Sequence, residues 1–204
     1  MSNTPYLDFY AKNLNESVKK QLESHAIGRD KEISQLIQIL MHANKSNPFL
    51  VGEPGVGKTA LVEGAAYLLN QGQVPEQLEN YQIYSLNLGI LDTNAAGKIG
   101  YFNANFSNII QECIDNRDHI ILFIDEFHTL MGASRKEGSG MDGSQLLKAP
   151  LARGEIHVIG ATTFDEYHDF VEDDKALQRR FDVIPLQEPD EPTSVQILQG
   201  SLGK

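Results

Sequence analysis

Residues 52–59 read GEPGVGKT and combine three glycines with a lysine and a threonine. This stretch matches the phosphate-binding P-loop pattern at every position, so a glycine-rich turn without a ligand is the weaker interpretation. Glycine lets the backbone turn its N–H groups towards a phosphate, and the positive end of a following helix faces the same point. In this pattern Lys58 reaches the β and γ phosphates of a nucleotide, and the Thr59 hydroxyl is a ligand for Mg²⁺.

Two carboxylates, Asp125 and Glu126, follow the apolar run IILFI at 120–124. At the end of a buried strand, Asp125 is placed to hold magnesium through its water shell. Glu126 beside it is placed to orient and deprotonate an attacking water. By themselves these acids would be read as a solvated pair, but together with a phosphate loop they indicate nucleotide hydrolysis.

Thr163 lies three residues before Glu166 in GATTFDEY, which is the spacing of a capping box. The spacing predicts that Thr163 begins a helix. Its hydroxyl is also a candidate for contact with the γ-phosphate or the attacking water, and the two roles are compatible. We interpret His128, just after the carboxylates, as a hydrogen-bonded structural residue rather than a general base. The six histidines and the lone cysteine show no metal-ligand spacing.

Two adjacent arginines, Arg179 and Arg180, end the stretch DDKALQRR. The positions three and four residues earlier hold lysine, alanine and leucine, so the usual helical ion pair is missing for both. Asp182 follows closely, but one carboxylate does not easily serve two guanidinium groups. The pair therefore predicts a negative partner elsewhere.

The elements that position these residues are predicted from apolar spacing. Helices are expected over 30–44, with Asp30 as its cap, over 60–71, ending at Gly72, and over 102–114, with Cys113 on its buried face. Five short apolar strands are predicted in the segments 47–52, 81–89, 119–126, 156–163 and 181–186. Strands without polar alternation, separated by helices, indicate an α/β fold with a parallel five-stranded sheet sandwiched by helices. Ligands of such sheets bind beyond the carboxyl ends of the strands, so the phosphate loop, the acid pair and Thr163 are expected to converge.

The composition narrows the class of protein. The chain has 204 residues, 41% of them hydrophobic, which is enough for one or two small domains. It shows no apolar run of transmembrane length and no signal peptide, so membrane insertion is not expected. A single cysteine excludes an internal disulfide and fits a reducing, cytoplasmic location. The 17 basic and 28 acidic residues give a net charge of −11, which counts against nucleic acid as a partner and against a clamp loader or replication initiator.

Four segments, in order and spacing, resemble the first ATPase domain of the Clp-type AAA+ unfoldases, which are ring-forming disaggregase chaperones and the regulatory ATPases of Clp proteases. The segments are NPFLVGEPGVGKTALVEG, ILFIDEFHTLMGA, LARGEIHVIGATTFDEY and ALQRRF. The resemblance implies a P-loop AAA+ large α/β subdomain over 30–191, preceded by a lead-in over 1–29 and followed by the truncated start of a small helical subdomain over 192–204.

The same resemblance implies roles for individual residues. Arg179 and Arg180 would be arginine fingers acting on the neighbouring subunit's nucleotide, Glu126 and Thr163 would be catalytic, and Thr59 and Asp125 would hold Mg²⁺. The implied ATP contacts are Ala26, Ile27, Gly52, Glu53, Pro54, Gly55, Val56, Gly57, Lys58, Thr59, Ala60 and Ile197.

The function implied by the resemblance is ATP hydrolysis in a hexameric ring that unfolds or disaggregates proteins, with an adaptor or a Clp protease as further partner. The isolated chain is expected to be weakly active. The family carries an aromatic residue that grips substrate in the loop after the second strand, and this position falls on Lys98 here. That departure leaves an alternative function open, namely a nucleotide-gated assembly module that binds ATP without threading substrate.

Overall fold

The computed structural model of the chain describes residues 3–19, 26–42, 47–95, 99–132, 143–189 and 191–195. The strands of its one sheet are β1 (Ala11–Asn13), β2 (Asn47–Val51), β3 (Gln82–Leu86), β4 (Ile120–Ile124), β5 (His157–Thr162) and β6 (Phe181–Pro185). Their spatial order is β1-β3-β4-β5-β2-β6. Strands β2 to β6 pair in parallel, so the five predicted strands and their direction are confirmed.

The sixth strand, β1, corrects the prediction of a five-stranded sheet. It pairs antiparallel with β3 at the sheet edge, with Ala11 opposite Leu86 and Asn13 opposite Tyr84. Its three residues, AKN, form no apolar run, so periodicity gave no sign of it. The preceding helix is held by Glu112, whose carboxylate accepts the backbone N–H groups of Tyr6 at 2.9 Å and Leu7 at 2.8 Å. The lead-in is therefore packed into the same body as the sheet.

Helices cover both faces of this sheet. Those in the described residues are α1 (Pro5–Tyr10), α2 (Leu14–Val18), α3 (Asp30–Met41), α4 (Lys58–Asn70), α5 (Leu88–Ala95), α6 (Ile99–Asp115), α7 (His128–Gly132), α8 (Gly143–Arg153), α9 (Phe164–Glu166) and α10 (Lys175–Gln178). A 3₁₀ turn spans Glu76–Leu78, and a π-helical segment spans Tyr167–Glu172. Successive residues of β4 alternate between two cores: Leu122 packs with α6 and α8, whereas Phe123 packs with α3 and α4. This double coverage explains why the strands lack polar alternation.

Two predicted helices are confirmed and one needs correction. α4 ends just before Gly72, which has a φ of 64°, and α6 buries Cys113 to 1% exposure. Burial, followed by the nearby Glu112 charge, raises the pKa of the Cys113 thiol to about 12. In α3 the N-cap position belongs to Arg29 and not to Asp30, whose carboxylate lies in the first turn, where the helix dipole favours it. α3 ends at Met41 rather than at residue 44, because His42 is already extended. No helix in the described ranges is long and apolar enough to cross a bilayer.

Candidate active site

The phosphate loop connects β2 to the N-terminus of α4, as its sequence predicted. Gly55 and Gly57 have φ values of 80° and 99°, a backbone region that residues other than glycine rarely adopt. A Cβ added to either glycine would meet nothing within 4 Å, so the loop borders open space. Within the described residues, the N–H groups of Gly55 and Gly57 donate to no acceptor. These features fit a loop that surrounds a phosphate.

Lys58 begins α4 and is only 7% exposed. Its ammonium donates to the carbonyls of Gly52 at 2.7 Å and Glu53 at 3.1 Å. The charge is therefore held over the loop by main-chain dipoles of the loop itself. The other candidate residues of the loop, 53–57, lie between β2 and α4, and Ala60 lies in the first turn of the helix.

The two candidate magnesium ligands meet although 66 residues separate them. The Thr59 hydroxyl donates to Oδ2 of Asp125 at 2.8 Å. A hydroxyl oxygen and a carboxylate oxygen side by side, next to a phosphate loop, are the donor set that Mg²⁺ prefers. The residues present therefore fit a magnesium ion.

Glu126 follows Asp125 and is the one residue other than glycine with a positive φ, 52°, in the described part of the chain. Its N–H donates to Oδ1 of Asp125 at 3.0 Å, and its side chain is 57% exposed. Such a backbone conformation costs on the order of 1 kcal/mol or more and is typical of functional sites. Both carboxylates line a cavity of about 440 Å³ together with Asn87 and Lys12, at the carboxyl ends of β3 and β4.

A hydrogen-bonded network that sequence reasoning missed lies beside Glu126. The hydroxyl of Thr162, which is fully buried, donates to Oε2 of Glu166 at 2.7 Å. Since the single hydroxyl proton is used there, Nδ1 of His128, 2.9 Å from the same hydroxyl, must carry the ring proton that Thr162 accepts. Nδ1 is also 3.0 Å from Oε2 of Glu166 and 3.5 Å from Oε2 of Glu126. His128 is therefore a hydrogen-bonded residue, as interpreted, and it lies against the candidate base.

Thr163 caps α9, as its spacing predicted. Its Oγ1 accepts the N–H of Glu166 at 3.3 Å, and the Glu166 carboxylate accepts the N–H of Thr163 at 3.1 Å. Partial burial pushes the pKa of Glu166 upward, but the bonds from Thr162 and Thr163 and the nearby His128 hold it below its usual value. One carboxylate oxygen each of Glu126 and Glu166 and one ring nitrogen of His128 lie within 4.8 Å of one another. Because Glu166 is far from the other two residues in the sequence, their spacing did not predict this grouping.

Arg179 and Arg180 follow α10 directly. Arg179 is exposed and Arg180 is half-buried, and across the described residues neither guanidinium makes an ion pair, with Asp182 or with any other acid. The backbone at this point is nevertheless fixed, because the Arg180 carbonyl accepts both the backbone N–H and the side-chain amide of Asn47, at 2.8 and 3.2 Å.

The helix that precedes the arginines, α10, is fixed at its N-terminus by Asp174. The Asp174 carboxylate accepts the N–H groups of Ala176 at 3.1 Å and Leu177 at 3.3 Å, and Lys148 donates to it at 2.7 Å. Partial burial opposes ionisation, but these contacts, led by the Lys148 bond, hold the pKa of Asp174 below its usual value. The arginines therefore project from a well-anchored turn.

Of the three residues expected near the base of the nucleotide, Ala26 and Ile27 lie within the described residues. Ala26 is buried and Ile27 is half-buried in the turn before α3. Next to them, a Cβ on Gly28 would lie 2.5 Å from Cγ2 of Thr193, so the segment 191–195 packs against this turn. Ile197 and Lys98 lie outside the described residues.

Comparisons with known proteins agree with this geometry. Residues 48–187 match the model of the ATPase family associated with various cellular activities (AAA). Chaperone protein ClpB of Bacteroides thetaiotaomicron is 48% identical over 198 residues, which are 97% of this chain and 23% of that protein. ClpB of Porphyromonas gingivalis is 49% identical over 194 residues, 95% of this chain and 22% of that protein. This chain thus spans less than a quarter of the length of these relatives.

Solved structures give the same result. The S. cerevisiae Hsp104–ADP complex matches with a TM-score of 0.85 and 40% identity, over 96% of this chain and 33% of that one. A closed-state reconstruction of Hsp104 with ATPγS and FITC-casein matches with a TM-score of 0.83 over the same shares.

Proposed function

The chain belongs to the ATPase family associated with various cellular activities (AAA), and from this premise we propose that it binds MgATP between the phosphate loop and Asp125 and hydrolyses it with Glu126 as base. The predicted resemblance to Clp-type unfoldases is confirmed by the 48% identity to ClpB. The observation that carries the proposal is the 2.8 Å contact between Thr59 and Asp125, because it joins the phosphate loop to the acid pair.

Binding of the nucleotide follows from the loop. The free N–H groups of Gly55 and Gly57 donate to phosphate oxygens, and Lys58 exchanges its two carbonyl partners for the β and γ phosphates. Ala26 and Ile27 contact the adenine, and the resemblance to the Clp-type family adds Ile197 to the nucleotide contacts. Magnesium, held by Thr59 and Asp125, supplies neutralisation of the charge that develops on the phosphates.

Hydrolysis follows from Glu126. A water attacks the γ phosphorus, the bond to the β–γ bridging oxygen breaks, and the Glu126 carboxylate takes a water proton, giving ADP and inorganic phosphate. His128 supports this step as a positioning residue, since its Nδ1 lies 3.5 Å from the Glu126 carboxylate and is itself held by Thr162 and Glu166. Thr163, beside this network, contacts the γ-phosphate or the attacking water while it caps α9.

Arg179 and Arg180 act on the nucleotide of a neighbouring subunit in a hexameric ring. Their lack of an acidic partner in the described chain supports this role, as does their match to the arginine pair of the Clp-type family. An arginine finger is worth on the order of 10³–10⁵ in turnover. The isolated chain therefore hydrolyses ATP slowly.

The work coupled to hydrolysis is unfolding or disaggregation of proteins in the cytoplasm, with an adaptor or a Clp protease as a further partner. Supporting this are the similarity to ClpB chaperones and to the reconstruction of Hsp104 with FITC-casein. The one feature that favours the assembly-only alternative is Lys98, because a flexible, strongly hydrated side chain grips apolar segments poorly. Stimulation of ATP turnover by unfolded casein favours threading, and its absence in an assembled ring favours the alternative.

Two substitutions test the nucleotide site. Lys58→Ala removes the side-chain charge on the phosphates and is expected to weaken binding of a fluorescent ATP analogue. Glu126→Gln keeps binding and lowers turnover by roughly 10²–10⁴, the range for a positioned general base. Equal loss of binding in both variants would refute the separate roles.

A further inference from the structure

Arg29 is a buried cation that the hydrolytic mechanism does not use. Only 9% of the residue is exposed, and it lies at the start of α3, directly after the turn that holds Ala26 and Ile27. Nη1 donates to Oε1 of Glu32 at 2.9 Å, and Nη2 donates to the carbonyls of Val56 at 3.0 Å and Gln187 at 2.7 Å. One side chain thus contacts α3, the phosphate loop and the segment that follows β6.

The contact with the Val56 carbonyl fixes the direction of the next N–H group in the phosphate loop, that of Gly57. The Val56 carbonyl belongs to the same peptide unit as the Gly57 N–H, and in a trans peptide the two point in opposite directions. Because Nη2 holds the carbonyl on its own side, the Gly57 N–H is directed away from Arg29. That N–H has no acceptor within the described chain and borders open space. Arg29 therefore orients one of the two loop donors that are free to meet a phosphate.

The contact with the Gln187 carbonyl links Arg29 to the segment that follows the last strand, β6. Gln187 follows Leu186, whose N–H donates to the Val51 carbonyl at 2.7 Å, at the last residue of β2. Further on, Thr193 packs against Gly28, next to Arg29 itself. After β6, Gln187 is therefore linked to the Arg29 side chain, and Thr193 packs against the preceding residue, Gly28.

A single nitrogen serves both carbonyls. Nη2 carries two hydrogens, so each carbonyl takes one, and a shift of one acceptor changes the geometry of the other bond. Leaving a buried guanidinium with fewer partners is costly, so the two contacts are maintained together. The geometry required for linking two segments is therefore present at one atom.

We propose that Arg29 is a positioning residue that couples the phosphate loop to residues 186–189 and 191–195. When a phosphate binds the Gly57 N–H, the Val56–Gly57 peptide is fixed, and the bond from Nη2 to Gln187 transmits this constraint to the segment leaving β6. The proposal rests on the proposed function to the extent that the loop binds nucleotide.

Three variants separate this role from a merely structural one. Arg29→Ala removes all three bonds. Arg29→Lys keeps the charge but lacks the planar fork that serves several acceptors at once, so it preserves folding better while breaking the link. Glu32→Gln is the matched control, because it removes the ion pair on Nη1 and leaves Nη2 and both carbonyls intact. Thermal unfolding of each variant establishes that it is folded before it is compared.

The experiment is hydrogen exchange of the whole chain, followed by mass spectrometry, with and without saturating MgADP. In wild type and Glu32→Gln, MgADP is expected to slow exchange in the phosphate loop and also in residues 186–189 and 191–195. In Arg29→Lys and Arg29→Ala, slowing persists in the loop, whereas the slowing beyond β6 falls by about tenfold or more. Binding of a fluorescent ADP analogue weakens about tenfold in the same two variants.

The outcomes distinguish the two proposals. If MgADP has no effect on the wild-type loop, the proposed function fails, and the coupling fails with it. If MgADP slows the loop but wild-type residues beyond β6 do not respond, the coupling alone is wrong. The coupling is also wrong if Arg29→Lys behaves as wild type, or if Glu32→Gln loses the response as fully as Arg29→Lys.

Discussion

The cations at the phosphate loop and those at the end of α10 differ in where their partners lie. Lys58 and Arg29 are buried, and each donates to main-chain carbonyls of its own chain. Arg179 and Arg180 lie at the surface or close to it and have no ion pair within the described residues. The first region is organised by the chain alone. In the second, the backbone is fixed, but the two guanidinium groups have no acidic partner in the described part of the chain.

The largest expected effect comes from the arginines. In an assembled ring, Arg179→Ala and Arg180→Ala should each lower ATP turnover by a factor that approaches roughly 10³–10⁵, the loss expected for an arginine finger. Nucleotide binding should be unchanged. Steady-state hydrolysis and titration with a fluorescent nucleotide measure the two quantities. Lys175→Ala changes an exposed cation in α10, the helix that precedes the arginines, and as the matched control it should have little effect. Equal losses in Lys175→Ala would indicate a general charge effect on assembly.

A smaller effect is expected at His128, beside the candidate base. His128→Ala removes the group that lies 3.5 Å from the Glu126 carboxylate, so turnover should fall about tenfold while KM stays the same. His168→Ala is the control, because His168 is exposed and pairs with Glu172 away from the network. A rise in KM without loss of kcat would contradict the positioning role of His128.

The two regions also differ in how far the sequence predicts them. The phosphate loop, the acid pair and the parallel strands are signalled by contiguous patterns, and the rule that ligands bind at strand ends correctly brought Thr59 and Asp125 together. The missing ion pairs of Arg179 and Arg180 were also predictable, because helical partners lie at fixed spacings.

Contacts between distant segments were not predictable. His128 and Thr162 are 34 residues apart in the sequence, and Arg29 and Gln187 are 158 residues apart, so no local spacing predicts either contact. β1 escaped detection because an edge strand of three residues pairs through its backbone and needs no apolar pattern. Asp30 was mistaken for a cap because the residue that precedes it, Arg29, is an unusual N-cap residue whose side chain is used elsewhere.

A further prediction concerns the anchor of the arginine helix. Asp174→Ala removes an N-cap and the partner of Lys148, and should lower the free energy of unfolding by about 1 kcal/mol at pH 7. Because the folded-state pKa of Asp174 is lowered, its contribution is complete above the unfolded value and is lost as pH falls below about 4. Urea unfolding at pH 7 and at about pH 2.5, below the unfolded-state pKa, measures the difference, with exposed Asp173→Ala as control. A difference independent of pH would contradict the ionised anchor.

The smallest effect is expected at Cys113, which lies in neither region. Burial and the raised pKa predict that the native thiol does not react with an alkylating reagent while the urea-unfolded chain is labelled completely. Mass spectrometry of the labelled chain measures this. Rapid labelling of the native protein would show that α6 opens more readily than its packing implies.

Mixing two inactive variants tests directly whether the arginines act on a neighbouring subunit. Glu126→Gln subunits retain their arginines, and subunits carrying Arg179→Ala and Arg180→Ala retain their base, so in a mixed ring one subunit supplies what its neighbour lacks. Sedimentation with ATPγS identifies concentrations at which the mixture assembles, and ATP turnover is measured there across mixing ratios. We expect turnover to rise above that of either variant alone and to be highest at intermediate ratios. Assembled mixtures with no recovery at any ratio would contradict the action of the arginines across the interface.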